Sequence, residues 1–578
     1  MATKTLPEQV ELSLKPANKP QQTSETTASS DATAKEITTN VPARWTEGQK
    51  VLFRIAFVFF IAMSLPNDWN WYKNVISLDW LHLHYRDLYD VARFGSGLGV
   101  FGNKLFGSPL NGYAIWLVTL AFAVVVGGIW TAITRFRKRE TPSAARTDYT
   151  LLYYWLRVVV RYRAGIGIIG FGFTKLMPTQ LPYPSLGILN TDFGDLTAQK
   201  IYWLSIGIVP WYEVFTGLVE VLAGVLLFFR ATTFWGAVLL FGALADIVYV
   251  NFAYDGGVHG YSSYFVLLAG FLLVYYVKDL YALLIQQRPV LPNYFAPVFT
   301  GWRQYVRLGL KTGTLGVFLG LLFWLQWVNF KYDPYKQPAQ KGLRELRGNY
   351  AVTEFRLNGQ TLPESPTDPV RWQQATFENW TTLTFKTAKP VELDLSNGGG
   401  APMRDINRTF ELTGVAGGQR VFYYEADTVN HVLYLQDKNR GARSQENREF
   451  SANTELTRSV ATARVRLGRK GRKPTDEAVR DSTEAVTFIP KAALINIGPE
   501  DPKIDPIARS TRRTKGIQAE SKPTKRNRMV LNYTVQNDGA KVILRGINER
   551  NDSIYVVLNR YERRYALSKS TLNAGTYD

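Results

Sequence analysis

Two carboxylates, Glu213 and Glu220, lie inside the apolar stretch 203–229, WLSIGIVPWYEVFTGLVEVLAGVLLFF. Such a stretch is long enough to cross a bilayer, since roughly 20 apolar residues cover the hydrocarbon core. At about 100° per residue, Glu213, Gly217, Glu220 and Gly224 fall within an arc of roughly 60°. Both acids therefore share a helix face with two glycines, which allow another backbone to come close. An ionisable group at membrane depth avoids lipid, so the acid face belongs inside a bundle. The apolar stretch 149–176 brings cations to the same bundle: Arg157, Arg161 and Arg163 within it and Lys175 at its end. Arg157 and Arg161 share a face at an i, i+4 spacing. Glu220 and Arg161 each lie roughly 15 Å from the cytoplasmic end of their spans at 1.5 Å per residue, which predicts that they pair. Asp246 matches Arg163 in depth, with Asn251 in the same span as Asp246. These groups could line a polar cavity for a quinone, a proton path or an anionic substrate. They could equally be ion pairs that neutralise one another and fix helix register.

A second group lies at the expected outer rim: Lys175, Asp255 and His259. Lys175 either snorkels to the headgroups or partners Glu213 or Asp192. Asp255 and His259 are four apart near a turn, and their spacing is too loose for a metal site, so no metal is expected. No Ser-His-Asp order, phosphate-binding glycine loop or zinc spacing is present.

The supporting elements follow from 578 residues with 46% hydrophobic content, whose average hides a membranous half and a polar half. There is no cysteine, which excludes disulfides, thiol redox pairs and Cys-held Fe–S clusters. The four histidines (His82, His84, His259 and His431) fall outside the expected spans, so a haem held by two membrane histidines is not expected. The net charge of +20 fits nucleic acid, anionic lipid or an envelope polymer. With apolar spans present the membrane class is favoured, and no nucleic-acid partner is expected.

Residues 1–43 read as a disordered tail. A helical membrane domain over 44–330 is predicted with about seven spans: 51–65, 113–133, 149–176, 203–229, 234–252, 261–277 and 306–328. The basic run RFRKRE after the second span places that turn in the cytoplasm, with the N-terminus inside. Residues 331–578 would then lie outside, in the periplasm of a diderm bacterium. Their short alternating runs (AVTEFRLNG, TTLTFK, VELDLS, RTFELTG, QRVFYYEA, HVLYLQD, MVLNYTV, KVILRG, SIYVVLNR and RRYALS) predict an antiparallel β-sandwich or small barrel. A basic insert at 440–528 reads as mostly disordered, with EAVTFIPKAALINI able to order locally.

From about 150 to 280 the chain resembles the DoxX-like membrane family. The resemblance rests on FGFTKLMPTQLPYPSLGILNTDFGD, then WYEVFTGLVEVLAGVLLFFRATTFWGAVLL, then NFAYDGGVHGYSS. It covers roughly a quarter of the chain, and it is to the longer forms with added spans and an external tail. It implies a compact helical membrane domain. In some members it also implies sulfur oxidation through quinone, in others oxidative-stress complexes. The expectation is an inner-membrane, quinone-linked redox subunit. The alternative is a non-catalytic scaffold or transport-related component that recruits an envelope or membrane protein through its external β domain.

Overall fold

A computed structural model describes residues 45–94, 111–140, 148–290, 294–334, 336–398, 404–439, 488–509 and 526–569. The expected tail at 1–43 lies outside them, as does most of the 440–528 insert.

The first part of the chain is helical: α1 (Glu47–Ser64), α2 (Trp69–Ile76), α3 (Tyr85–Ala92), α4 (Asn111–Glu140), α5 (Thr150–Leu176) and α6 (Leu186–Leu189). Then come α7 (Ala198–Gly207), α8 (Pro210–Phe228), α9 (Thr233–Ala253), α10 (His259–Leu280), α11 (Trp302–Leu315) and α12 (Leu322–Tyr332). A π-helical turn, Gly316–Leu321, joins α11 to α12. Among the described residues five stretches are long and apolar enough to cross a membrane: Tyr113–Arg137, Pro210–Phe228, Thr233–Ala253, His259–Ile285 and Trp302–Tyr332. They mark an integral membrane protein, and their outer faces carry exposed Leu117, Phe215, Leu218, Trp235 and Phe241.

This count corrects the expected seven. α1 has only 18 residues and carries Glu47, Lys50 and Arg54. α5 is 27 residues long but holds three arginines and Lys175. The stretch 203–229 is also not one helix. Pro210 opens α8, and Val209 before it leaves the helical region at φ −126°, ψ 74°. A proline lacks the N–H and crowds the preceding residue out of the α conformation.

α5 runs antiparallel to α8 through the centre of the bundle on paired glycines. A Cβ on Gly165 would meet the Gly224 carbonyl oxygen at 3.2 Å, and one on Gly217 would meet the Gly172 carbonyl oxygen at 2.8 Å and run into the Leu176 amide nitrogen. Those neighbours are backbone and cannot rotate away. Gly217→Ala is therefore expected to lower the thermal midpoint in detergent, in line with an overpacking cost of about 1–3 kcal/mol. Gly242→Ala, with nothing within 4 Å of its Cβ, is the neutral control. Equal midpoints for the two variants would show that the helices do not cross there.

The second part is a closed antiparallel barrel of β1 (Gly348–Leu357), β2 (Gln360–Thr361), β3 (Gln374–Phe377), β4 (Thr382–Lys386), β5 (Gln419–Asp427), β6 (Val432–Asp437), β7 (Arg528–Gln536), β8 (Lys541–Ile547) and β9 (Ser553–Tyr561). Eight strands, β1 and β3 to β9, form the ring, which closes where β1 pairs with β9. The two-residue β2 only folds back on β1 through Asn358–Gly359, both at positive φ, as an Asn-Gly hairpin turn requires. Inward residues such as Tyr350, Phe355, Phe377, Leu383, Phe422, Leu433, Leu531 and Leu558 fill the lumen. That suits an eight-stranded barrel, whose interior is only wide enough for side chains. Of the expected two β forms, the barrel is the one observed.

Three expected strands are absent, and two, the short β2 and β3, were not foreseen. VELDLS and RTFELTG are loop and turns, and RRYALS ends in a short 3-10 turn, Ala566–Lys569. RTFELTG alternates, but Arg408, Glu411 and Thr413 are buried in polar contacts rather than facing solvent. β3 has only four residues, three of them buried, so it shows no alternation. Within the basic insert, α13 (Lys491–Ile497) packs Ala493 and Ile497 against Tyr434 of β6.

The barrel is bolted to the helical part. Glu378, 2% exposed, accepts from the amides of Leu186 (3.0 Å) and Gly187 (2.7 Å) at the start of α6. Lys200 of α7 is fully buried, donates to the Phe410 carbonyl and lies 3.8 Å from the centre of the Phe410 ring. Burial pushes Lys200 down to about 7, helped by neighbouring Lys336. Burial, with Glu411 close by, pushes Glu378 up to about 7. Arg408 pairs with Asp333 and Asp405 where α12 leads into the barrel.

Candidate functional site

α5 distributes its charges to three separate places. Arg157 and Lys175 are 18 positions apart, roughly 27 Å along the helix axis at 1.5 Å per residue. Between them the helix is mostly buried glycine, alanine, isoleucine and phenylalanine. Of the seven residues expected to share one cavity, Arg157 and Arg161 line one together and the other five lie outside it.

At the end of the bundle away from the barrel, Arg157 and Arg161 enter a cavity of about 440 Å³. The turn between α8 and α9 contributes Arg230, and the start of α9 contributes Thr233, Phe234 and Trp235. α10 and the segment after it contribute Leu272, Tyr275, Tyr276, Asp279, Leu283 and Tyr294. The Arg157 guanidinium lies 3.5 Å from the centre of the Tyr275 ring and donates to the Tyr276 hydroxyl at 3.1 Å. Stacking a cation on an aromatic face is favourable, the more so where water is scarce. Arg161 donates to Thr233 Oγ1 at 3.2 Å. The Nε atoms of both arginines are buried and have no hydrogen-bond partner. Neither arginine forms a salt bridge to an acid among the described residues.

Arg163 points elsewhere. It is 4% exposed and donates to the carbonyls of Ala92 (2.8 Å) and Phe94 (3.3 Å) and to the Tyr264 hydroxyl (3.1 Å). It thus satisfies backbone groups at the C-terminal end of α3, where a cation also suits the helix dipole. Asp246 does not pair with it, being exposed on α9. Asn251 donates back to the Ile247 carbonyl at 2.7 Å, within its own helix.

Glu213 sits in the first turn of α8, toward the barrel, and Glu220 midway along it. Glu220 pairs with Lys175, not with Arg161. Glu213 is fully buried and accepts from the Leu181 amide at 3.0 Å. The register set by the glycine contacts explains the change of partner. Pairing Gly165 with Gly224 and Gly172 with Gly217 brings the Lys175 end of α5 beside Glu220 and leaves Arg161 more than a turn away. Beside them Gln326 of α12 donates to Thr179 Oγ1 at 3.1 Å.

Asp255 is exposed at a turn with φ 56°. His259 is stacked on Phe252 at 4.4 Å and on Tyr113 at 5.6 Å, with Nδ1 3.4 Å from the Tyr113 hydroxyl. Among the described residues no group of three His, Asp or Glu side chains is placed to hold a metal.

Sequence reasoning did not include Arg230, Tyr275, Tyr276, Asp279 and Tyr294 in the cavity. The signal available was VYYVKDL at a helix end, which reads as an ordinary interfacial aromatic belt. Nor did it find the bolt residues Lys200, Glu378 and Arg408, which lie in loops or at element ends.

No protein-family model matches this sequence, and no solved structure matches it. Among curated proteins, an uncharacterized protein of Bacillus subtilis (strain 168), YwoB, is 32% identical over 91 residues. The match takes in 14% of this chain and 59% of YwoB, so the chain covers less than two thirds of that relative's length. The similarity is thus to part of a protein whose own name states no activity.

Proposed function

We propose that the chain is a DoxX-like subunit of a bacterial inner membrane that binds an amphiphile in the Arg157–Arg161 cavity. The cavity carries this reading. It joins hydrogen-bond donors on two arginines to walls of Tyr275, Tyr276, Leu272 and Leu283, so a polar head and an apolar tail both find partners. Binding sites of this kind are concave, mostly apolar and fitted with a few converging polar groups. In the redox form of the proposal the amphiphile is a quinone, whose carbonyls accept from Arg157 and Arg161 while another protein supplies the electrons. In this reading the N-terminus is cytoplasmic and the barrel periplasmic.

The docked barrel favours a second reading, a scaffold that recruits an envelope protein. Its lumen is filled by side chains, and Glu378, Lys200 and Arg408 hold it against the helical part. A rigidly seated barrel would present a fixed surface to a partner.

The test is to purify the full chain in mild detergent and identify organic-extractable molecules by mass spectrometry. A near-stoichiometric amphiphile that is lost in Arg157→Gln/Arg161→Gln is the expected result. A wild-type preparation that carries none, and that no added lipid or quinone stabilises, would leave the scaffold reading.

A further inference from the structure

We propose that the head of this amphiphile is anionic, a phosphate group held by Arg157, Arg161 and the N-terminus of α9. The proposal rests on the reading of the cavity as a ligand site and adds the chemical class of its occupant.

Three observations converge. First, the lining charges do not balance: Arg157, Arg161 and Arg230 stand against Asp279 alone, a net of +2. Asp279 is moreover engaged by the Tyr294 hydroxyl. Arg157 and Arg161 are half-buried, and a cation partly withdrawn from water without a counter-charge is costly, a cost that an anion in the cavity would remove. Second, the Nε atoms of Arg157 and Arg161 are buried donors without acceptors. A neutral ligand could accept from them, but only an anion also neutralises them. Guanidinium groups match phosphate oxygens in both charge and geometry. Third, the 21-residue α9 begins at this cavity, with Thr233, Phe234 and Trp235 in the lining and no side chain capping its first turn. The amides of Phe234 and Trp235 and the positive end of its dipole add to the same field.

The remaining wall selects an amphiphile over a free ion. Leu272, Leu280, Leu283, Val290 and Phe295 line the cavity on the side of α10 and the segment after it, and Leu283 is 52% exposed. A lipid could enter from the bilayer and leave its chains along these residues. Inorganic phosphate would satisfy the arginines but leave this surface bare.

The experiment uses the full chain in a neutral detergent and reads thermal midpoint and binding on titration with four probes. These are micelles doped with phosphatidylglycerol, micelles doped with phosphatidylcholine, inorganic phosphate, and a short-chain ubiquinone. Phosphatidylglycerol is expected to raise the midpoint and to bind at least about tenfold tighter than phosphatidylcholine, whose phosphate is offset by choline. Arg157→Gln/Arg161→Gln should remove that preference, since each hydrogen bond to a charged group is worth about tenfold or more. Arg230 is exposed at the turn between α8 and α9, so Arg230→Gln should fold normally and weaken phosphatidylglycerol binding even if the double variant does not fold. A preference unchanged in Arg230→Gln and in a folded double variant would overturn the proposal. An equal response to inorganic phosphate would overturn the choice of a lipid. A response to ubiquinone alone would overturn the anionic head while leaving the cavity a ligand site. No response to any probe, with nothing bound on extraction, would remove the ligand reading as well.

Discussion

Arg408→Met is expected to destabilise the protein by about 3–5 kcal/mol, the usual cost of removing one member of a buried ion pair. Arg408 is 2% exposed, and the side chains of Asp333 and Asp405 are fully buried. The guanidinium also donates to the carbonyls of Pro334 (2.8 Å) and Gln337 (2.6 Å), so it ties the chain leaving α12 to the barrel. Asp405 in turn accepts from the amides of Ala339 (3.0 Å) and Gln340 (2.9 Å). Methionine keeps much of the volume but leaves two buried carboxylates without their cation. Thermal unfolding in detergent, with brief proteolysis of the 333–342 segment, reads both parts of the effect. Adding Asp333→Asn should return some of the lost stability, because one of the stranded charges is gone. A variant that melts with the wild type and keeps this segment protected would show that water or another cation serves these aspartates.

The second large effect is expected at Lys175 and Glu220. Their side chains are 13% and 3% exposed, so neither has enough water to replace its partner. Lys175→Met should cost about 3–5 kcal/mol, because it strands a carboxylate midway along an apolar helix. Glu220→Gln should cost less, since the amide oxygen still accepts from the lysine. The exchanged double variant, Lys175→Glu with Glu220→Lys, should recover part of the sum of the single losses. Groups in contact show non-additive effects, whereas groups more than about 7–10 Å apart add. Glu220→Gln combined with Arg161→Gln should therefore be additive. If the Lys175–Glu220 cycle is additive and the Arg161–Glu220 cycle is not, the α5–α8 register described above is wrong.

Both predictions concern contacts that the sequence did not disclose, although it placed most of the groups involved. Glu220 reads as interior because an acid in an apolar span avoids lipid, and it is buried with Gly217 and Gly224 on the same side. Its partner did not follow. Rise per residue gives a position along one helix, and depth matching then assumes that neighbouring helices end level. The glycine contacts set a different register, and Lys175, expected at the rim, became the ion-pair partner. Arg163 failed in another way. At 4% exposure it serves the carbonyls at the end of α3, an element too short and polar to be anticipated beside a membrane helix.

By itself the sequence determined the division into an apolar helical part and an alternating β part, because burial in lipid and burial on one side of a sheet leave different periodicities. It also determined that glycines and carboxylates share one face of α8, since helical geometry is local. It overcounted apolar spans where cations interrupt them, as in α5, and joined two helices across Pro210. Tertiary structure alone decided the closure of the barrel, which pairs β1 with β9 some 200 residues later. It alone built the cavity, from the first half of α5, the turn at Arg230, the start of α9, the end of α10 and the segment at Tyr294. It alone joined Glu378 to Gly187 and Arg408 to Asp333. Each of these pairs residues far apart in the chain, and no local propensity encodes such a choice. What selects it is the cost of leaving buried charges and backbone groups without partners, which is evaluated only when the whole chain has packed.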